Sequence, residues 1–194
     1  RVPAYVSPCN PRDEVRFDGA DPEHYPVDYG VNLGTFFVWD PATGEKLAQW
    51  DDDHRTSRAA ISPGGHWLLS AGTSGDQQEF RLWRLPIGRL VHREKLPKAA
   101  QIYSVSFTNN GAHGYVFCDQ GIYDVSHLGE VKKIADQCPP FATYCIGTGE
   151  IAVADETLKV YGSLPDLLNN RKPKRDLGPI DVYGKGLAMA DSGT

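Results

Sequence analysis

Two landmarks recur along this chain with a step of about 40 residues, and a period of that length commits a sequence to a repeat architecture before any single element is considered. The first landmark is the run Phe37-Val38-Trp39-Asp40, closed by the turn residues Pro41-Ala42-Thr43-Gly44-Glu45. Its shape returns as Arg81-Leu82-Trp83-Arg84 ahead of Gly88, as Ile122-Tyr123-Asp124 ahead of Gly129, and as Lys159-Val160-Tyr161-Gly162. The aromatic positions Trp39, Trp83, Tyr123 and Tyr161 lie 44, 40 and 38 residues apart. The second landmark sits between them. Ala59-Ala60-Ile61-Ser62-Pro63-Gly64-Gly65 is echoed by Val105-Ser106-Phe107-Thr108-Asn109-Asn110-Gly111, by Cys145-Ile146-Gly147-Thr148-Gly149 and by Val182-Tyr183-Gly184-Lys185-Gly186. Glycines 65, 111, 149 and 186 are spaced by 46, 38 and 37, and Ala4-Tyr5-Val6-Ser7-Pro8 reads as a further copy.

Each unit divides into four short strands. In the clearest copy, residues 57–62 form the first strand, and Pro63-Gly64-Gly65 supplies a turn in which Pro presets φ and Gly admits positive φ. Residues 66–73 form a second strand whose run Trp67-Leu68-Leu69 is apolar on both faces. Residues 79–85 alternate charged and apolar as the third, and 89–96 form a more polar outer fourth. Four strands per period make one propeller blade. Sandwiches and barrels also turn every few residues, but they need no repeat of this length.

The expected fold is therefore all-β, a β-propeller of about four to five four-stranded antiparallel blades. Residues 1–34 hold a partial first blade with a long loop, and 35–56 hold its end and a connection. Residues 57–96, 97–137 and 138–178 are three further blades, the last with a basic insertion, and 179–194 start another, all within one propeller domain. Because the chain opens on Arg1 and stops in mid-pattern, an incomplete ring is expected, an open arc with apolar faces exposed at both ends.

Ser62-Pro63-Gly64-Gly65, Leu69-Ser70-Ala71-Gly72, Arg81-Leu82-Trp83 and Gly88, together with the literal pair Trp39-Asp40, resemble the WD40 repeat family over nearly all of the chain from residue 35 onward. That resemblance implies a hydrogen-bonded tetrad in one blade, with His54, Ser70, Asp76 and Trp83 as its candidates. Such a set satisfies a buried indole N–H, and its role is structural rather than catalytic.

Other chemistry finds little support. A net charge of -5 and a pI near 5.6 argue against a general nucleic-acid or acidic-membrane binder. No apolar stretch approaches the roughly 20 residues that span a bilayer. Cys9, Cys118, Cys138 and Cys145 show no CxxC pair and read as isolated core residues. Gly72-Thr73-Ser74-Gly75 misses the G-x-S-x-G spacing of a nucleophile elbow and reads as a polar hairpin. Asp51-Asp52-Asp53-His54 lacks the alternating oxygens of a calcium loop and reads as a solvated connection between blades. No phosphate or dinucleotide loop appears, and no cofactor or metal is expected. The run Arg171-Lys172-Pro173-Lys174-Arg175 reads as an exposed insertion between a third and a fourth strand. His24, Tyr25 and Tyr29 stand in a long loop at 21–30 as surface candidates.

The functional expectation is a non-catalytic scaffold for protein partners, as the WD40 resemblance implies. The alternative is the propeller region of a larger multidomain enzyme, such as a bacterial protein kinase or hydrolase. No compartment is read from the sequence.

Overall fold

A computed structural model describes residues 35–39, 43–53, 55–139, 141–145 and 148–179. Fourteen strands and one short helix make up these residues, arranged as three four-stranded antiparallel sheets and one two-stranded sheet. In the two-stranded sheet β1 (Thr35–Trp39) pairs with β2 (Lys46–Asp51). The next three sheets are simple meanders. The second sheet runs β3 (Arg55–Ile61), β4 (Trp67–Ser74), β5 (Gln77–Arg84) and β6 (Arg89–Lys95). The third runs β7 (Ile102–Phe107), β8 (His113–Cys118), β9 (Gly121–Ser126) and β10 (Val131–Ala135). The fourth runs β11 (Ala142–Tyr144), β12 (Ile151–Ala154), β13 (Thr157–Tyr161) and β14 (Arg175–Pro179), with helix α1 (Leu164–Leu168) between its last two strands. This is the all-β blade series expected from the repeat.

The pair β1–β2 corresponds to the last two strands of a blade. Both β1 and β5 carry a register shift just before their tryptophan, between Val38 and Trp39 and between Leu82 and Trp83. Both are followed by a left-handed glycine, Gly44 at φ 69° and Gly88 at φ 64°. The glycine landmark marks equivalent turns as well: Gly65, Gly111 and Gly149 have φ of 69°, 68° and 72°, where a β-carbon would be strained. Each turn is closed alike, by Ser62, Thr108 or Cys145 donating its N–H to the carbonyl of Trp67, His113 or Glu150.

Blades stack face to face through three apolar layers. Phe36, Val38 and Trp50 meet Leu68, Trp83 and Leu85, with the Phe36 and Trp50 rings stacked at 5.3 Å. Leu69, Ala71, Phe80 and Leu82 meet Phe107, Val116 and Val125. Phe117 and Ile122 meet Ala142, Ile151, Val153, Leu164 and Leu167. Strand β4 thus serves two layers at once and is buried from Leu68 through Gly72, as its continuous apolar run requires.

The first strands of successive blades run side by side, β3 next to β7 and β7 next to β11. An edge strand there leaves backbone carbonyls without a ladder partner. Side chains of the preceding blade fill that need. Arg58 Nε donates to the Tyr103 carbonyl at 3.1 Å, and Ser104 and Ser106 donate to the carbonyls of Ala142 and Tyr144 at 2.6 and 3.3 Å.

Among the described residues the arc is open, since no strand of the first sheet shares a ladder with the last. The first sheet exposes Phe37 and Leu47 on its outer side, and residues 1–34, expected to belong to the same blade, lie outside the described residues. At the other end the expected start of a further blade at 179–194 lies, from residue 180 on, outside the described residues. The face of β12–β13 turned away from β7–β10 carries Ala152, Ala154 and Val160, and all three are buried within the fold.

Candidate functional site

The tetrad candidates separate in the structure. The Trp83 indole N–H donates to Ser70 Oγ at 2.9 Å inside the core between β2 and β5. Asp76 is not with them. It stands at the tip of the β4–β5 hairpin, 71% exposed, with its carboxylate on Lys98 Nζ at 2.6 Å. The hairpin connection turns at Gly75, at φ 62°, so Asp76 faces solvent several residues along from Ser70. His54 and Asp40 lie outside the described residues, as do Cys9, His24, Tyr25 and Tyr29.

Tyr161 pairs with Ile151 as Trp83 pairs with Leu68, one step from the closed turn in each blade. Tyr123 falls two residues short of that position, which Val125 fills opposite Gly114. A two-residue offset keeps the ring on the same strand face, so Tyr123 still packs against Phe80 at 5.6 Å. Asp124 shifts with it and meets His113 Nδ1 at 2.8 Å.

The polar residue placed directly opposite Ser70 is Arg81. Its guanidinium contacts the carboxylates of Asp52, Glu79 and Asp53. Glu79 also accepts from Arg93 Nε at 2.9 Å, and Arg93 reaches Ser74 Oγ at 3.3 Å. Glu79 and Arg81 are 0% and 2% exposed, and Asp52 is 8% exposed. Burial first, and the neighbouring Arg93 second, push Arg81 down to about 10, which still leaves it a cation at neutral pH. The acidic connection after β2 is therefore not simply solvated: Asp52 turns inward because a buried guanidinium awaits it. The network clasps the first sheet to the second.

Strand alternation gives the blades two unlike rims. The connections β2–β3, β4–β5, β6–β7, β8–β9 and β12–β13 share one rim, which carries Asp53, Asp76, Asp119, Asp155 and Glu156. The turns β3–β4, β5–β6, β7–β8 and β9–β10 share the opposite rim. Residues 61–67, 84–90 and 107–113 there contain no Asp or Glu, whereas the β9–β10 turn carries the exposed Glu130.

A surface patch lies on this turn rim where the second and third sheets meet. At its centre Trp67 is half-buried, with the Arg84 guanidinium over its ring at 5.2 Å and the His127 ring at 6.2 Å. The turns are seated on each other: a β-carbon at Gly111 would stand 3.4 Å from Ser62, and one at Gly129 would stand 3.1 Å from Val91. Arg84 and Arg89 are direct cross-strand partners at the end of the β5–β6 ladder, and both are exposed. Ile87 and Leu128 occupy matching turn tips, each just before the left-handed glycine, and are 66% and 71% exposed. The sequence reading passed over this group. Its one legible signal is an aliphatic residue before glycine in two successive turns, where a polar residue is usual.

The basic run sits at the β13–β14 connection, and its charges are largely engaged. Lys174 and Arg175 both reach the Glu150 carboxylate at 2.7 Å, and Arg171 reaches Asp166 at 3.1 Å. The Lys174 hydrogen bond holds the Glu150 carboxyl below its usual range, with Arg175 adding to it. Helix α1 starts here because Ser163 caps it, accepting from the Asp166 N–H while Pro165 occupies the first turn. Leu164 and Leu167 anchor it in the core. The described cysteines are free thiols. Cys118 and Cys145 are buried, and burial pushes the half-buried Cys138 up to about 12.

No family model and no curated protein matches the sequence. Among solved structures the chain is similar to hydrazine synthase of Kuenenia stuttgartiensis, with a TM-score of 0.51 at 12% identity, over 74% of this chain and 42% of that one. It is similar too to TolB from Acinetobacter baumannii, with a TM-score of 0.50 at 15% identity, over 75% of this chain and 38% of that one. The chain thus spans less than half the length of either structure. Likeness at these identities speaks to fold alone, and with the serial four-stranded sheets it shows that the chain folds as a β-propeller.

Proposed function

We propose that this chain is a non-catalytic interaction module of WD40 type, and that it docks protein partners on its turn rim. The WD40 reading draws support from the Ser62-Pro63-Gly64-Gly65 turn and from the Trp83–Ser70 hydrogen bond. The observation that carries the docking reading is the exposed aliphatic pair Ile87 and Leu128 beside the half-buried Trp67. Single exposed apolar residues are ordinary on a protein surface. Two at matching turn tips, flanking a tryptophan and arginines, have the composition of a binding centre, where aromatic and Arg anchors dominate affinity.

The test is a selection of displayed random peptides on the intact chain, followed by binding to variants. Ile87→Ser with Leu128→Ser is expected to weaken the selected binders by about tenfold or more, whereas Asp76→Asn on the opposite rim leaves them unchanged. Binders that ignore the Ile87 and Leu128 changes and respond to Asp76 would overturn the turn-rim reading.

A further inference from the structure

Arg84 and Arg89 face each other across the last rung of the β5–β6 ladder, on the same sheet face. Like charges at such a position destabilise a hairpin. Elsewhere in the protein, close arginines are compensated: Arg81 and Arg93 also pair across these strands, but Glu79 bridges them. The Arg84–Arg89 rung has no such carboxylate. Neither residue makes an ion pair among the described residues, and the adjoining segments 61–67 and 84–90 carry no acidic residue. Arg84 is held over the Trp67 ring, so its position is defined before any partner arrives.

We infer that this rim patch receives a carboxylate-bearing segment of a protein partner, its acidic side chain held between Arg84 and Arg89 and an aliphatic neighbour resting on the Ile87 and Leu128 turn tips. The inference rests on the turn-rim reading and adds the chemistry of the partner. Guanidinium groups suit a carboxylate because their forked donors bind it through two parallel hydrogen bonds. A membrane surface fits less well. Polybasic lipid attachment takes clusters of about 4–8 free cations, and here Arg171, Lys174 and Arg175 are committed to Asp166 and Glu150.

The experiment measures binding of the intact chain to three peptide pools that share their aliphatic positions and differ only in carrying Glu, Gln or Lys at the rest. The Glu pool is expected to bind tightest. Arg89→Gln should lower its affinity by about tenfold, and Arg84→Gln with Arg89→Gln further still, with loss of most of its salt dependence. Arg89→Gln removes an exposed side chain that makes no ion pair, so it tests the pair without risking the fold. Arg89→Glu should move the preference to the Lys pool. Equal binding of the Gln pool, still lost with Leu128→Ser, would overturn the acidic partner and leave the turn rim standing. Binding of every pool that is indifferent to Leu128→Ser would remove both readings. A phosphoserine pool that binds far more tightly than the Glu pool would overturn the carboxylate assignment. So would tight, Arg89-dependent attachment to phosphatidylglycerol-containing vesicles in place of peptide binding.

Discussion

Trp83 and Ser70 meet diagonally across β4 and β5, and the indole N–H donates to the serine hydroxyl at 2.9 Å in a place that water does not reach. Loss of the acceptor leaves a buried donor unsatisfied. Ser70→Ala should therefore cost about 1–3 kcal/mol in urea unfolding. In a Trp83→Phe background the same change should cost less, because no donor is then orphaned. A double-mutant cycle with no coupling between the two positions would show that the bond contributes nothing.

Left-handed glycines offer a contrast between conformation and space. Gly75 and Gly88 have φ of 62° and 64°, so alanine at either is strained by about 1–2 kcal/mol. At Gly75 a β-carbon meets nothing within 4 Å, whereas at Gly88 it would run into the Trp50 ring. Gly88→Ala is expected to be the more damaging, and to change the near-ultraviolet circular dichroism of the Phe36–Trp50–Trp83 cluster. Equal melting shifts for the two variants would mean that Trp50 moves aside freely.

The repeat carried most of the fold into view. Gly65, Gly111 and Gly149 announce their turns because only glycine takes those backbone angles without strain, a local demand that any sequence must display. The aromatic landmark was less strict. Tyr123 sits two residues off register because a ring on that face packs at either position, so spacing alone cannot fix which rung it occupies. The Arg81 network stayed hidden for a different reason. Asp52 and Arg81 are 29 residues apart and meet only when one blade stacks on the next, and a run of three aspartates looks like any solvated loop. Cross-strand neighbours such as Arg84 and Arg89 likewise emerge only once the hairpin register is known.

Glu150 makes the stability of the last sheet depend on pH. Its folded-state pKa lies below the ordinary value of 4.5, first through the Lys174 hydrogen bond and then through Arg175. The folded chain therefore binds fewer protons here than the unfolded one, so the stabilising contribution is fully present above about pH 4.5 and is lost as pH falls through the folded value. Glu150→Gln should flatten the acid side of the stability profile while lowering stability at neutral pH. Urea midpoints from pH 7 down to pH 3 test this, and parallel profiles for the two proteins would refute it.

Arg81 is the residue whose loss should matter most. Its side chain lies between the buried carboxylates of Asp52 and Glu79, and Arg93 reaches Glu79, Asp53 and Ser74 from the neighbouring strand. Arg81→Met takes a buried guanidinium away from the carboxylates of Asp52 and Glu79, a change that costs about 3–5 kcal/mol when one partner of a buried pair is removed. Removing the charges together should be far milder. Arg81→Met combined with Asp52→Asn and Glu79→Gln is expected to regain much of the loss, since the two buried groups that met the guanidinium are then neutral. Recovery in the triple variant, measured by chemical unfolding, would show that the network contributes alignment of the first two sheets more than net stability. A triple variant no better than Arg81→Met alone would instead make the Arg81 packing itself the source of the effect.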